Sequence, residues 1–399
     1  MSAFRGIDDL GPLEDRPVLV RVDFNVPVSA GRIADSSRIE AALPTIEALT
    51  AKGARVILLS HFGRPGGQVE PALSLAFVAP ALAERLAQAV EFIAAPVGDG
   101  AREAIEASSA PVLLLENVRF YAGETENDAA LADRLAALGE AFVNDAFSAA
   151  HRAHASTVGL AQRLPAVAGL AMIGELEALE AALGSPARPL AAVVGGAKVS
   201  TKLAVLENLV PKVDHLMIGG GMANTFLAAL GHPVGASLCE HHMTATAAAI
   251  IAAAGPADCK IHLPSEVVVA KALEAGIETQ IKAVEEVAAD DLILDLGPAS
   301  VERLIGVLQD CRTVVWNGPL GAFEVPPFDK GTKALAAAAG TLSEAGALLS
   351  VAGGGDTVAA LKAAGVAHQF NHVSMAGGAF LDWMAGRELP AVTPLRADA

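Results

Sequence analysis

The sequence predicts an α/β protein with two domains, each built on a doubly wound parallel sheet that is covered by helices. Short apolar runs alternate along the chain with amphipathic, Ala- and Leu-rich segments, which is the pattern of strand–helix repeats. Most runs are apolar throughout, as strands of a parallel sheet buried on both faces should be. A chain of 399 residues that is 53% hydrophobic can form two such cores.

The first half of the chain contains five candidate strands. They cover residues 18–22, 54–60, 90–94, 112–116 and 141–145. Segments 76–90 and 129–139 lie between them and carry apolar residues at helical spacing. We therefore expect a parallel sheet with helical crossovers in this half.

The second half repeats the pattern with six candidate strands. They cover residues 190–196, 215–220, 260–270, 292–297, 313–318 and 347–355. We expect these strands to form a second parallel sheet, because most of them are also continuously apolar.

One helix is predicted to connect the two halves. Apolar positions repeat at helical spacing from Ile173 to Leu183, and Gly184 and Pro186 end the pattern. The predicted organisation is a first domain over 1–172, a connecting helix over 173–187 and a second domain over 188–388.

Composition excludes several classes of protein. The formal net charge of −17 argues against a nucleic-acid or anionic-membrane partner. Cys239, Cys259 and Cys311 form no metal-binding pair and no even disulfide set, so free thiols in a reducing compartment are expected. The N-terminus lacks the layout of a signal peptide, and the longest apolar run is too short to span a bilayer. The expectation is a soluble cytoplasmic protein.

Long polar side chains gather at or just beyond the strand ends of the first half. They are Arg21, Asp23, Asn25, Arg38, His61, Arg64, Arg119, His151, Arg152 and His154. A single arginine at such a position is usually solvated, but five in one half favour a small, highly charged anion held by guanidinium groups. His151 and His154 could equally be capping residues.

The strand ends of the second half carry glycine instead. The positions are Gly195–Gly196, Gly219–Gly221, Gly297, Gly318, Gly353–Gly355 and Gly377–Gly378. Glycine lets a ligand approach the backbone closely, and amides at helix starts bind phosphate, so a nucleotide is expected here.

Four charged residues of the second half have two possible interpretations each. Lys198 and Lys202, four apart on one predicted helical face, either contact phosphate or are solvated. Asp356 at a helix start either binds Mg²⁺ or caps the helix, and Glu324 either accepts ribose hydroxyls or is plain surface.

Eight segments in order resemble the phosphoglycerate kinase family. They are RVDFNVPV, SHFGRP, LLENVRF, VNDAFSAAHRAHAS, GGAKVSTK, IGGGMANTFL, WNGPLGAFE and VAGGGDTVAA, and the resemblance extends from about Arg21 to Leu395. It implies two Rossmann-like domains joined by a helix with a deep cleft between them. The C-terminal residues 389–399 would return to the first domain, which would bind 3-phosphoglycerate, while the second would bind Mg-ATP or Mg-ADP.

The resemblance also implies a role for each matching substrate residue. Asp23 and Asn25, with Arg21 nearby, would position the glycerate, and Arg38 would reach its carboxylate and the transferring phosphoryl group. The 3-phosphate would be held by His61, Arg64, Arg119 and Arg152.

The resemblance likewise implies a role for each matching residue of the nucleotide site. Lys198 and Lys202 would contact phosphates, Glu324 the ribose and Asp356 the magnesium ion. Gly353, Gly354, Gly355 and Thr357 would form the phosphate-binding helix start. Gly195, Gly196, Gly219, Gly220 and Gly221, together with Asn317, would form the nucleotide-binding loops.

One departure from the family pattern concerns residues 374–380, which read SMAGGAF where the family usually has STGGGAS. Met375, Ala376 and Phe380 replace smaller or more polar residues, whereas Gly377 and Gly378 remain, so a backbone amide of Gly378 could still donate to the transferring phosphoryl.

The resemblance implies reversible phosphoryl transfer between 1,3-bisphosphoglycerate and ADP, in glycolysis and gluconeogenesis, by a monomer that closes about its hinge. Two alternatives fit the sequence less well. A dinucleotide-dependent oxidoreductase would need GxGxxG opening a helix, and no segment provides it. A catalytically inactive, nucleotide-sensing member should have lost Arg38, Lys202 or Asp356, and all three are present.

Overall fold

The computed structural model describes residues 3–397, which divide into two compact units. The first unit runs through Leu176 and takes up the chain again from Glu388, and the second runs from Glu177 to Arg387. Each unit contains a six-stranded parallel sheet, as the sequence predicts.

The first unit carries eight strands and five helices. The strands are β1 Pro17–Arg21, β2 Val28–Ser29, β3 Arg32–Ile33, β4 Arg55–Leu59, β5 Val90–Ile93, β6 Val112–Leu115, β7 Ala141–Asn144 and β8 Ala166–Ala168. The helices are α1 Ser37–Ala51, α2 Val78–Leu86, α3 Asp99–Ala107, α4 Ala129–Ala136 and α5 Leu170–Leu179. The sheet order is β5-β6-β4-β1-β7-β8, and β2 and β3 form a separate hairpin.

Both faces of this sheet are buried, and one core cluster of the first unit lies on one of them. Val18, Val20, Val56 and Leu58 point into it from β1 and β4 and are fully buried. Because β1 is central, the residues at its carboxyl end lie between the ends of β4 and β7, with Arg21 opposite Leu59 and Asn144. This edge of the sheet gathers the predicted anion-binding residues.

The connecting helix begins earlier and ends differently from the prediction. Helix α5 starts at Leu170, and a single π-helical turn over Glu180–Gly184 completes the segment. Asp145, just after β7, accepts a hydrogen bond of 3.0 Å from the Met172 amide in the first turn of α5. Burial raises the pKa of Asp145 to about 7.

The second unit carries nine strands and seven helices after α5. The strands are β9 Leu190–Val194, β10 His215–Ile218, β11 Lys260–His262, β12 Glu266–Ala270, β13 Gln280–Ala283, β14 Leu292–Leu296, β15 Thr313–Asn317, β16 Leu349–Gly353 and β17 His372–Ser374. The helices are α6 Leu203–Leu209, α7 Gly221–Ala229, α8 Thr244–Ala254, α9 Pro298–Asp310, α10 Lys330–Glu344, α11 Gly355–Ala363 and α12 Gly377–Met384.

Two strand predictions in this unit are wrong. Residues 260–270 form two strands, because Pro264, which lacks an amide hydrogen, interrupts the run; β11 joins the parallel sheet, whereas β12 pairs antiparallel with β13 and β14. The run 292–297, expected in the parallel sheet, is β14 of this antiparallel sheet. The parallel sheet has the order β11-β10-β9-β15-β16-β17.

Both ends of the described chain belong to the first unit. Phe4 and Arg396 form an antiparallel bridge, and the Ala397 amide donates to the Ala3 carbonyl at 3.0 Å. The second unit is therefore inserted, in sequence, between two segments of the first.

The cysteines are free thiols, as predicted. The expected burial holds for Cys259 and Cys311, whereas Cys239 is only half-buried. No helix within residues 3–397 combines the length and apolar character that a bilayer crossing requires.

Candidate active site

Arg21, the last residue of β1, lies fully buried beneath the arginine-rich edge of the first unit. Its Nε donates to the Ser156 hydroxyl at 2.9 Å, and its Nη2 lies 3.0 Å from Nδ1 of His61. Its Nη1 donates to the Val22 carbonyl, so Nε, Nη1 and Nη2 are all engaged within the buried site. The Arg21 guanidinium therefore acts on a ligand through His61.

Asp23 is the acceptor at the centre of this edge. Arg38, in the first turn of α1, and Ser148 both donate to its Oδ2, and the Asn25 amide donates to Oδ1 at 3.0 Å. Burial opposes ionisation of Asp23, but Arg38 and these hydrogen bonds lower its pKa to about 2. Asp23 is therefore a carboxylate that fixes the direction of the Arg38 guanidinium.

Asn25 and Arg119 hold the loop that follows β4. The Gly63 amide donates to Oδ1 of Asn25 at 3.0 Å, and Nη1 of Arg119 donates to the Gly63 carbonyl at 2.7 Å. Burial, with the like charges of Arg21, Arg152 and Arg64 around it, lowers the pKa of Arg119 to about 10. Crowded cations of this kind favour the binding of an anion among them.

The remaining arginines of the cluster point into solvent. Arg64 and Arg152 are exposed, and Arg38 keeps 27% of its side-chain surface accessible. The structure thus brings together five predicted arginines, three of them with guanidinium groups available to a ligand.

Burial and the neighbouring cations hold two histidines in the neutral form. The pKa of His61 is well below its usual value because of burial and the charge of Arg21. Burial and the charges of Arg21, Arg119 and Arg152 lower the pKa of His154 to about 4. His154 lies 3.6 Å from Glu124 and is buried, so it belongs to the support of the site.

Glu124 and Ser156 support the site from below, and the sequence did not identify them. Ser156 donates to Glu124 from both its amide, at 3.0 Å, and its hydroxyl, at 2.6 Å, while it accepts from Arg21. Glu124 is fully buried, which raises its pKa. Ser156 lies within the family-like segment 143–156, whereas Glu124 lies in an unremarkable turn and gave no signal.

In the second unit, Lys202 ties two strand ends together. Its Nζ donates to the Gly195 carbonyl at 2.6 Å after β9, and to the Asn317 carbonyl at 2.9 Å in β15. Burial lowers the pKa of Lys202 to about 8, and the charge of Asp356 opposes this shift. The amine is thus preorganised at the carboxyl ends of the central strands.

Asn317 and Thr357 join β15 to the start of α11. Nδ2 of Asn317 donates to the Gly353 carbonyl, and the Gly318 amide donates to the Thr357 hydroxyl, both at 2.7 Å. Gly354 has φ of +99°, and a Cβ there would lie 2.6 Å from Nδ2 of Asn317. Only glycine fits this turn, which leaves the first amides of α11 open to a ligand.

A cavity of about 290 Å³ adjoins these turns. Gly196, Gly220 and Gly221 line it, and so do the acidic residues Asp295, Glu324 and Asp356. Most of the other lining residues are apolar, among them Leu238, Val267, Leu273, Leu294 and Leu320, while Asn224 and Ser237 are polar. An apolar slot beside a glycine-lined phosphate site has the chemistry that a purine nucleotide requires.

Two helix starts lie side by side at the phosphate end. A Cβ on Gly377 would lie 3.7 Å from the Gly355 amide nitrogen, so α12 begins next to α11. Gly378 is exposed in the first turn of α12, and the departures are accommodated: Ala376 and Phe380 are buried, with the Phe380 ring packed against Gly353.

The prediction that Lys198 and Lys202 share a helical face is wrong. Helix α6 begins only at Leu203, because the chain first passes through turns after Gly196. Lys198 is exposed, whereas Lys202 is held by three acceptors. The two lysines therefore have different environments.

A family comparison agrees with this geometry. The family model of phosphoglycerate kinase matches residues 7–387. The chain belongs to the phosphoglycerate kinase family. A protein of Zymomonas mobilis named phosphoglycerate kinase is 60% identical over 396 residues, covering 99% of this chain and 100% of that protein. The one from Sphingopyxis alaskensis is 59% identical over 399 residues, covering 100% of each.

Solved structures share the fold. Phosphoglycerate kinase of Coxiella burnetii has a TM-score of 0.91 and 42% identity over 98% of both chains. That of Pyrococcus horikoshii has a TM-score of 0.81 and 32% identity, again over 98% of both. The family match and the kinase names of these relatives give no support to the inactive, nucleotide-sensing alternative.

The acidic residues of the chain form no protein-only metal cage. Within residues 3–397, no group of three or more His, Cys, Asp or Glu side chains could hold a metal ion. Asp356 is an exposed single carboxylate at the phosphate end of the cavity. A lone carboxylate fits Mg²⁺ that takes its other ligands from water and nucleotide phosphates.

Proposed function

We propose that the chain catalyses reversible transfer of a phosphoryl group from 1,3-bisphosphoglycerate to ADP, forming 3-phosphoglycerate and ATP. It is an ATP/ADP-dependent phosphotransferase whose acceptor in the reverse direction is a carboxylate. The observation that carries the proposal is the pair of complementary sites: five arginines around Asp23 in one unit, and an apolar cavity beside Lys202 and two helix starts in the other.

A coupled assay of ATP consumption tests the proposal directly. ATP should disappear only when 3-phosphoglycerate and Mg²⁺ are both present, and glycerate without the 3-phosphate should be a poor substrate. ATP consumption that does not depend on 3-phosphoglycerate would exclude this activity.

The 3-phosphate end of the substrate binds to the exposed guanidinium groups. Arg64 and Arg152 provide bidentate donors at the surface, Arg119 adds a half-buried one, and His61 adds a neutral N–H. The cost of crowding these cations in the free protein makes a dianionic phosphate a favoured partner.

Asn25 and Asp23 position the glycerate, and Arg38 faces the reacting end. Asp23 holds Nη1 of Arg38, which leaves the rest of the guanidinium for the substrate carboxylate and the phosphoryl group in transit. The carboxylate of 3-phosphoglycerate is already ionised at neutral pH, so the reaction needs no general base. The protein's work is positioning and neutralisation of charge on the phosphoryl oxygens.

The nucleotide occupies the cavity of the second unit. Glycine loops at 195–196 and 219–221 leave room for the base, Glu324 accepts the ribose hydroxyls, and Asn317 and the turn Gly353–Thr357 place the phosphates at the start of α11. Lys202 and the Gly378 amide follow the phosphoryl group, and the exposed Lys198 adds a peripheral positive charge.

Mg²⁺, when bound with the nucleotide, neutralises phosphate charge and orients the phosphates. Asp356 is the residue that would hold it, since its carboxylate stands at the cavity beside the first amides of α11. Asp356 also lies close enough to Lys202 to oppose the fall in its pKa, so the metal and the amine act on the same phosphates.

Transfer requires reacting atoms about 3–3.5 Å apart, yet the two ligand sites belong to different units of the chain. Binding of both ligands therefore drives hinge closure, with the segment around Leu176–Leu183 and the returning residues 389–397 absorbing the change. The protein acts as a cytoplasmic monomer. Its first domain consists of residues 1–172 and 389–399, followed by the hinge helix 173–187 and a nucleotide domain 188–388.

A further inference from the structure

Glu240 is a buried residue in the loop between α7 and α8. Its Oε2 accepts a hydrogen bond of 2.9 Å from the Ser200 amide, and its Oε1 accepts one of 2.6 Å from the Ser200 hydroxyl. None of the roles described above uses this pair of residues.

The Glu240 side chain is ionised in this arrangement. Burial opposes ionisation, but the hydrogen bonds from Ser200 and the charge of His242 outweigh it and lower the pKa of Glu240. Hydrogen bonds to a carboxylate are stronger than those between neutral groups. The Glu240 carboxylate therefore holds Ser200 through its backbone and its side chain together.

The backbone of Glu240 is fixed in turn by α7. The Glu240 amide donates at 3.0 Å to the hydroxyl of Thr225, which is buried within that helix. Helix α7 begins at Gly221, one of the glycines that line the cavity. Glu240 thus joins Ser200 to the helix that starts at the nucleotide site.

Ser200 lies in a turn that carries both predicted phosphate-binding lysines, Lys198 and Lys202, and we call residues 198–202 the lysine turn. Within it, the Lys202 amide donates to the Val199 carbonyl at 2.9 Å. Helix α6 begins only after the turn, so the regular hydrogen bonds of a helix do not fix it. Its geometry depends on side-chain contacts, and the carboxylate supplies two of them.

The position of the lysine turn decides where the two lysines point. Nζ of Lys202 reaches the strand ends from the last residue of the turn, and Lys198 is exposed at the first. Charge stabilisation requires such cations to be preorganised, and a misplacement of about 1 Å can lower a rate about 10²-fold even when the mutated residue is remote. A residue that fixes the turn therefore acts on the reaction through the lysines.

We propose that Glu240 is a positioning residue of the nucleotide site, whose carboxylate holds Ser200 so that the lysine turn presents Lys198 and Lys202 to the phosphates. This inference rests on the proposed function, because it concerns the nucleotide of the same site. The role is one of geometry, since a carboxylate by itself repels phosphate.

The variant Glu240→Gln tests the proposal, because it keeps the shape of the side chain but leaves one accepting oxygen instead of two. We expect the affinity for Mg-ADP to fall on the order of tenfold, as for the loss of one charge-assisted hydrogen bond, and kcat to fall with it. The KM for 3-phosphoglycerate should stay close to that of the parent, since its proposed site lies in the other unit. Unchanged or tighter ADP binding would overturn the proposal.

The pH dependence of ADP binding separates positioning from a merely structural role. In the parent, ADP affinity should fall above pH 8, because burial lowers the pKa of Lys202 to about 8. In Glu240→Gln a misplaced Lys202 contributes less to binding, so this fall should be shallower. A loss of ADP affinity by the same factor at every pH from 7 to 9.5 would show a structural role and overturn the proposal.

A second variant guards against misfolding of the first. Ser200→Ala removes the hydroxyl donor from an exposed position and keeps the charge of Glu240, and it should weaken ADP binding in the same direction. The double variant should bind ADP no more weakly than Glu240→Gln alone, because the two residues act through one contact. Additive losses of affinity would overturn the proposal.

Asp214→Asn is the matched control. Its Oδ2 also accepts from a backbone amide, that of Leu190 at 2.6 Å, but at the opposite end of β9 from the lysine turn. This variant should bind Mg-ADP as the parent does. An equal loss of ADP affinity in Asp214→Asn would overturn the proposal.

These ADP titrations are independent of the phosphoryl-transfer assay. If 3-phosphoglycerate-dependent ATP consumption is absent but ADP binding depends on Glu240 and on pH as described, the proposed reaction fails and the positioning role stands. If the reaction proceeds and Glu240→Gln binds ADP like the parent, only the positioning role fails.

Discussion

Nη2 of Arg21 lies 3.0 Å from Nδ1 of His61, and both side chains are buried. A guanidinium can only donate, so Nδ1 of His61 must be the acceptor and the ring proton must sit on Nε2. Arg21 thus sets the tautomer of His61, and the imidazole offers a neutral N–H donor to the anion site.

This pair predicts that His61 stays neutral across the physiological range. Burial and the charge of Arg21 keep its pKa well below the usual value. Nitrogen-15 spectra of the imidazole should therefore still show the neutral Nε2–H form at a pH of about 6.5, where an ordinary histidine is half protonated. In the unfolded chain, where histidines titrate near about 6.5, the signals should change with pH.

The lowered pKa of His61 also makes the free energy of unfolding depend on pH. The folded state excludes a proton that the unfolded state binds below pH of about 6.5. His61 therefore lowers the free energy of unfolding as the solution is acidified, and restores it as the pH rises above that value. A folded-state ring that is half protonated at a pH of about 6.5 would contradict both the neutral form and this pH dependence.

Arg38→Ala should lower kcat by a factor on the order of 10²–10⁴, as removal of one transition-state charge partner does. The affinity for ADP should barely change, because Arg38 belongs to the first unit. Steady-state kinetics and ADP titration measure the two effects. Arg32→Ala, an exposed arginine of the nearby hairpin, is the control and should keep a kcat close to that of the parent.

The lowered pKa of Lys202 predicts that the affinity for nucleotide falls in mildly alkaline solution. Burial lowers the pKa of its amine to about 8 in the free protein. Phosphate favours the charged amine, so ADP binding should weaken as the pH rises above 8, by up to about tenfold per unit while bound ADP keeps the amine protonated. Lys202→Arg, whose guanidinium remains charged, should flatten the dependence in ADP titrations between pH 7 and 9.5. A parent profile without any slope would contradict the assignment.

Asp356→Asn should weaken binding of ADP in the presence of Mg²⁺ and leave binding of 3-phosphoglycerate intact. The physical reason is that the substitution removes the carboxylate in the first turn of α11, which would hold the metal ion. Separate titrations of each ligand measure the effects. Asp382→Asn serves as the control, because Asp382 lies on α12 and its carboxylate pairs with Arg387. Equal loss of both affinities would show that the variant is misfolded.

Small-angle scattering should detect the proposed closure. The radius of gyration should fall most when both ligands are bound, because each ligand supplies only part of the free energy of closure. 3-Phosphoglycerate alone or Mg-ADP alone should give smaller changes. An unchanged radius with both ligands present would contradict the hinge.

The sequence predicted the parts of the fold that depend on local pattern. Continuous apolar runs identified the central parallel strands, such as β1 and β9, because a strand that is buried on both faces carries apolar side chains at successive positions. The antiparallel sheet was missed, since strand pairing depends on contacts distant in sequence. In addition, β13 shows no alternation, because its first two residues are exposed and its last two are half-buried. The strands β8 and β17 were also missed, because each is only three residues long.

The site residues divide in the same way into those that the local sequence predicts and those that only the folded structure reveals. Arg119 and Lys202 could be singled out because long cations at strand ends are unusual in an acidic chain. Glu124 could not, because its importance comes from Arg21 and Ser156, which approach it only in the folded unit. Lys198 was placed on a helix by its spacing, but the glycine-rich turns delay the start of α6 to Leu203.

The pairing of Ala3 with Ala397 has a consequence for biosynthesis. On the ribosome, residues 388–397 emerge only after every residue of the inserted second unit. The first unit therefore cannot complete its packing while it is being made, although most of it emerges first. The second unit is continuous in sequence, so its folding does not depend on a segment that is made after it.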